Sequence, residues 1–131
     1  MFKEELNILK TYIESGISTF LVSNVPKKLR ENCVTIKSNI DKSELNGHYE
    51  NIEFCPPSWY KNLEEIIKNG YAILIIENMD EISNDEQLKF IELLKYRKIS
   101  TFDLSKNIII LITYSNLKNI SEEIYSLSVA I

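Results

Sequence analysis

Three places in this 131-residue chain carry side chains whose types and order could do chemistry. Asn24, Lys27 and Lys28 follow the short apolar run Thr19-Phe20-Leu21-Val22. Ammonium groups at the opening of a helix suit an anion, because the first backbone N–H groups of a helix lack intrahelical partners. Glu77 and Asn78 end a second apolar run, Ala72 to Ile76, with Asp80 and Glu81 close behind. Carboxylates in such a place could hold a divalent cation. The plainer reading, preferred here, is strand-end and helix-start acids favoured by solvent and local dipoles. Thr113 and Asn116 follow a third run, Ile108 to Ile112, and offer a hydroxyl and an amide for hydrogen bonding.

Other chemistries lack their parts. His48 is the only histidine, and without a strained nucleophile turn it makes no Ser-His-Asp triad. Cys33 and Cys55 stand apart with no C-x-x-C, too few for a disulfide framework and poor material with one histidine for zinc. No metal site and no catalytic residue are expected. The only glycines are Gly16, Gly47 and Gly70, which excludes a glycine-rich phosphate loop. Trp59 and Tyr60, beside Pro56-Pro57, are expected to pack beneath the loop rather than form a docking patch.

These residues need a scaffold. Hydrophobic residues make up 44% and charged residues 26% of the chain, the balance of an ordinary globular domain. The length suits a single domain over residues 1–131. The net charge of −4 and scattered Lys and Arg argue against nucleic acid as a generic partner. No apolar run approaches the ~20 residues of a membrane helix, and Met1 to Glu5 lacks a signal-peptide layout, so cytoplasm is the expectation.

Phe2, Leu6, Leu9 and Ile13 recur at helical spacing, and Gly16 stands where a helix-ending glycine belongs. Thr19 to Val22 and Cys33 to Ile36 read as strands, with a short helix between them capped by Asn24 and opened by Pro26. Residues 38 to 57 read as loop. Ser58 to Asn69 reads as a helix with Leu63, Ile66 and Ile67 on one face, stopped by Gly70. Ser83 and Glu86 form a capping box for a helix burying Leu88, Ile91 and Leu94. A short helix near Ser121 to Tyr125 precedes a last strand, Ser128 to Ile131. Apolar runs without alternation are buried on both faces, which a parallel sheet covered by helices requires. The expected fold is therefore α/β, a three-layer, mostly parallel five-stranded sheet with helices on both faces. Its ligand crevice would lie beyond the C-terminal strand ends.

In this order the segments resemble a AAA+ ATPase module of the MoxR/McrB type, and more distantly clamp-loader subunits. Tyr71 to Asp80 resembles the Walker B strand, and Gln87 to Leu94 the helix after it. Arg97 to Asn107 looks like the family's hairpin insert. Ile108 to Thr113 with Tyr114-Ser115-Asn116 resembles the sensor-1 strand and its polar tip. Asp41 to Gly47 resembles the Asp-Leu-x-Gly segment, and Pro57-Ser58-Trp59 the stretch leading to Walker B. The resemblance implies a P-loop NTPase core without its lid. It also implies a nucleotide crevice near Asn24, Lys27, Lys28, Glu77, Asn78, Thr113 and Asn116.

The chain departs from that family where catalysis is done. The phosphate-loop position reads Val22-Ser23-Asn24-Val25-Pro26-Lys27-Lys28-Leu29, with no glycine and no Ser or Thr after the lysines. Asn78 stands where the resemblance expects a Glu general base, and a neutral amide cannot take that role. No arginine follows Arg97, so the arginine finger is missing. The resemblance then implies a non-catalytic, AAA+-like domain without a cofactor. Its expected partner is a protein, either an active AAA+ ATPase or a second copy of the chain. Two rivals carry different expectations. An aberrant ATPase subunit completed in trans would bind Mg-ATP, and a clamp-loader-like replication or mobile-element factor would bind DNA with steep salt dependence.

Overall fold

The computed structural model describes Thr11 and residues 14–131, apart from the Lys28 side chain. The stripe Phe2, Leu6, Leu9 and Ile13 lies outside the described residues. The chain runs through β1 (Thr19–Val22), a 3-10 turn (Lys27–Asn32), β2 (Cys33–Lys37) and α1 (Lys42–Asn46). The hairpin β3 (His48–Glu50) and β4 (Glu53–Cys55) leads to α2 (Ser58–Ile66) and β5 (Ala72–Glu77). Next come α3 (Asn84–Gln87), α4 (Ile91–Tyr96) and a second hairpin, β6 (Lys98–Ile99) with β7 (Phe102–Asp103). The described chain closes with β8 (Ile108–Thr113), α5 (Glu122–Ser126) and β9 (Val129–Ala130).

Five strands form one parallel sheet in the order β2-β5-β8-β1-β9. The unalternating runs are its centre, because strand geometry sends successive side chains to opposite faces. Ala72, Leu74 and Ile76 of β5 join Ile108, Ile110 and Ile112 of β8 on one face. That face packs on Trp59, Tyr60 and Leu63 of α2, on Phe90, Leu93 and Leu94, and on Ile124 of α5. Ile73, Ile75 and Leu111 point to the other face, where Val25 and Leu29 meet them. The predicted α/β class and five-stranded parallel sheet are thus present. Among the described residues, the second face is covered by the 3-10 turn between β1 and β2. No helix among them is long and apolar enough to cross a membrane.

Several local expectations change. Residues 38 to 57 are not loop throughout, since α1 and the β3–β4 hairpin lie there. Their strands are three residues each, with β3 exposed and β4 half-buried, so no apolar alternation marks them. The turn after β1 begins at Lys27, with Pro26 at ψ 143° as its cap and no side-chain cap bond. Asn24 therefore does not cap it. The helix opened by Ser83 breaks into α3, a 3-10 turn (Leu88–Phe90) and α4. The shift from 3.6 to 3.0 residues per turn rotates the buried stripe. Leu88 is left 45% exposed and Ile91 half-buried; Leu94 is buried as expected, and Gln87, Phe90 and Leu93 are buried with it. Other readings hold. Ser83 Oγ accepts from Glu86 N at 3.2 Å. Gly70 has φ 124°, and Gly16 has φ 89°. Trp59 and Tyr60 are buried, and Trp59 Nε1 donates to Leu45 O at 3.0 Å.

Candidate functional site: the C-terminal rim of the sheet

The path of the chain locates the crevice. After β1 the chain crosses to β2 at one edge, and after β8 it crosses β1 to β9 at the other. Neighbouring strands whose connections leave in opposite directions open a gap at their C-terminal ends. In this sheet those strands are β1 and β8, paired with Val22 opposite Thr113. β5 lies on the other side of β8, so the ends bearing Asn24, Glu77 and Thr113 share one rim.

The β5–β8 half of that rim is held by hydrogen bonds. Asn78 takes a left-handed conformation, φ 61° and ψ 47°. Its N–H donates to Thr113 Oγ1 at 3.0 Å, and its carbonyl accepts from Ser38 Oγ at 2.7 Å. Asn and Asp tolerate this backbone region better than most residues because their short polar groups bond locally. Asp80 Oδ2 accepts from Ser115 N at 3.1 Å and Asn116 N at 2.9 Å. Asp80 Oδ1 is buried without a hydrogen-bond partner among the described residues. Asn116 Oδ1 accepts from Lys118 N at 3.1 Å, so its side chain caps the next turn. Gln87 is fully buried and ties three segments together. Its Nε2 donates to Ile82 O at 3.1 Å and Asn119 O at 2.7 Å, and its Oε1 accepts from Ser121 N at 2.7 Å.

The β1 half is built differently. Val25 and Leu29 are buried, and Leu29 N donates to Pro26 O at 3.0 Å. Pro26 has no N–H to offer. Lys27 is exposed, and the Lys28 side chain lies outside the described part of the structure. Glu77 faces Arg30 at 3.6 Å, a half-exposed pair of small energetic worth. A cavity of about 230 Å³ at the β2–β5 end is lined by Lys37, Ser38, Glu77, Asn78, Glu81 and Ile82. Ligand pockets usually span about 300–1,000 Å³. This one presents two carboxylates against one ammonium group, the wrong balance for a polyphosphate.

The structure thus joins Asn78 directly to Thr113, ties Asn116 to the same rim through Asp80, and pairs Glu77 with Arg30. No described contact ties Asn24 or Lys27 to them. The turn after β1 carries no glycine and buries Leu29, so it is not a glycine-rich phosphate loop. Sequence reasoning missed Ser38, Arg30 and Gln87, and read Asp80 as a solvated acid. Their partners lie tens of residues away, and no local pattern marks them.

Arg97, the only arginine besides Arg30, works at the opposite end of the sheet. Its guanidinium donates to Ser18 Oγ at 2.8 Å and Ser105 O at 3.0 Å, and also to Ile108 O. Burial lowers its pKa. Burial likewise lowers that of Lys89, whose Nζ donates to Ile40 O at 2.7 Å. Arg97 fastens its loop to the start of β8, and Lys89 fastens the 3-10 turn after α3 to the loop after β2.

Fold and rim together define a three-layer α/β protein with a hydrogen-bonded rim at the C-terminal ends of its parallel strands. Compared with known proteins, the chain matches no family model and no curated protein.

Proposed function

We propose that this chain is a non-catalytic AAA+-like domain that works by binding a protein partner. One observation carries the reading: the segment between β1 and β2 is a plug. Val25 and Leu29 turn into the core, and Leu29 N is bonded to Pro26 O. A phosphate cradle needs the reverse, free backbone N–H groups around an open loop. Asn78 supports the same reading, because its N–H is engaged by Thr113 and its amide side chain has no basic function. Partner binding is supported by large apolar side chains left in water. Ile52 at the tip of the β3–β4 hairpin is 94% exposed, Tyr49 64%, and Tyr96 at the end of α4 60%. A working AAA+ ATPase or a second copy of the chain is the partner the resemblance favours.

Thermal unfolding with and without millimolar Mg-ATP and Mg-ADP tests the proposal. A ligand at ~100 times its Kd adds about 2.7 kcal/mol, which raises the midpoint of a domain this size by several degrees. The expected result is no shift with either nucleotide in a cooperatively folding sample. A shift of several degrees would overturn the reading in favour of a nucleotide-binding subunit.

A further inference from the structure

The β3–β4 hairpin brings together the one histidine and a cysteine that the sequence keeps apart. His48 pairs across the hairpin with Cys55, and Glu50 follows His48 by two residues on the same strand. Residues two apart on a strand share a face, and directly opposed residues share it too. An imidazole nitrogen, a thiol sulfur and a carboxylate oxygen therefore converge, all within 4.8 Å of one another. His48 Nε2 already lies 3.4 Å from Glu50 Oε1. Tyr49 and Phe54 take the opposite face, with ring centroids 5.2 Å apart.

Two further features make this more than a chance grouping. The first is how the hairpin is fixed. Gly47, at φ 79°, lies directly against it: a Cβ there would sit 2.5 Å from Cys55 O and 2.8 Å from the Phe54 ring. Only glycine permits that approach, which brings the start of β3 onto Cys55. The second is the setting. The three side chains line a groove of about 790 Å³ bounded by β2 and the start of α2. Glu44 and Lys61 line the same groove, so its carboxylates outnumber its ammonium group.

We propose that this hairpin binds one zinc ion through His48, Glu50 and Cys55, with the fourth position open to water or a ligand in the groove. Thiolate, imidazole and carboxylate together suit zinc better than the hard cations, which take oxygen alone. Zn–S is about 2.3 Å and Zn–N and Zn–O about 2.0–2.2 Å, which puts ligand atoms about 3.5 Å apart around the ion. Zinc binding would draw the three ligand atoms, now within 4.8 Å of one another, to that spacing. The proposal concerns the hairpin alone and is independent of the nucleotide question.

Cobalt(II) titration of the chelator-treated full chain, followed by zinc displacement, tests it. The expected result is one equivalent per chain, with tetrahedral d–d absorption and a thiolate-to-cobalt charge-transfer band that zinc abolishes. Cys55→Ser should remove that band, and His48→Gln, at an exposed position, should weaken zinc binding at least about tenfold. Cys33→Ser should leave both readouts unchanged. The proposal is overturned by an absent charge-transfer band in the wild-type chain, by its survival in Cys55→Ser, or by a stoichiometry of one ion per two chains.

Discussion

The two faces of the sheet are stabilised by different means. On one face α2, α4 and α5 cover the strands, and a buried polar residue, Gln87, locks three segments to one another. On the other, among the described residues, the short turn between β1 and β2 lays Val25 and Leu29 on Ile73, Ile75 and Leu111. Polar side chains with long-range partners reinforce the apolar packing of the first face, while the described cover of the second is contact between apolar side chains. The difference bears on the proposed function, because the AAA+ resemblance would put an open phosphate loop at that turn. Under that proposal, a segment committed to covering the core is not free to wrap phosphate.

Four perturbations break or sharpen this comparison, and urea unfolding reads the first three. Gln87→Leu should cost most, about 4 kcal/mol. It leaves Ser121 N and the carbonyls of Ile82 and Asn119 without their buried partner. A neutral effect would mean the helical face does not depend on its polar lock. Leu29→Ala should cost about 3 kcal/mol through lost burial and a residual cavity. If stability were unchanged, the β1–β2 turn would be no plug, and the case against a phosphate loop would fall with it.

Thr113→Val keeps shape and removes the hydroxyl that accepts from Asn78 N, so about 1.5 kcal/mol is expected. The fourth test is alkaline and reads the helical face alone. Burial, then hydrogen bonding and proximity to Glu64, then proximity to Asp103, push the Tyr60 phenol up to about 12. Its folded pKa exceeds its unfolded value, so its contribution is complete below pH ~10 and is lost as pH rises towards 12. Tyr60→Phe should flatten the stability profile over that window. An unchanged profile would place the alkaline loss elsewhere.

Much of the frame was legible because it is written in local patterns. Ala72 to Ile76 and Ile108 to Ile112 are apolar at every position, which only a strand buried on both faces requires. Ser83 caps its helix as the spacing predicts, and the short helix expected near Ser121 is present, with Ser121 as its cap. The β3–β4 hairpin was not legible, because its strands are only three residues each, too short to show a period, and β3 faces water. Nor was the break at Leu88, since the sequence there carries no proline or glycine.

The candidate site divides along the same line. The missing glycines, Pro26 and the amide of Asn78 are properties of residue type, and they restrict the chemistry without any structure. Which groups meet is a property of the folded chain. Thr113 reaches Asn78, Asp80 reaches Ser115 and Asn116, and His48 comes opposite Cys55 through strand register and crossover. Periodicity reports which face of an element is buried. Only the closed sheet and its turns decide which distant polar groups must satisfy one another once water is excluded.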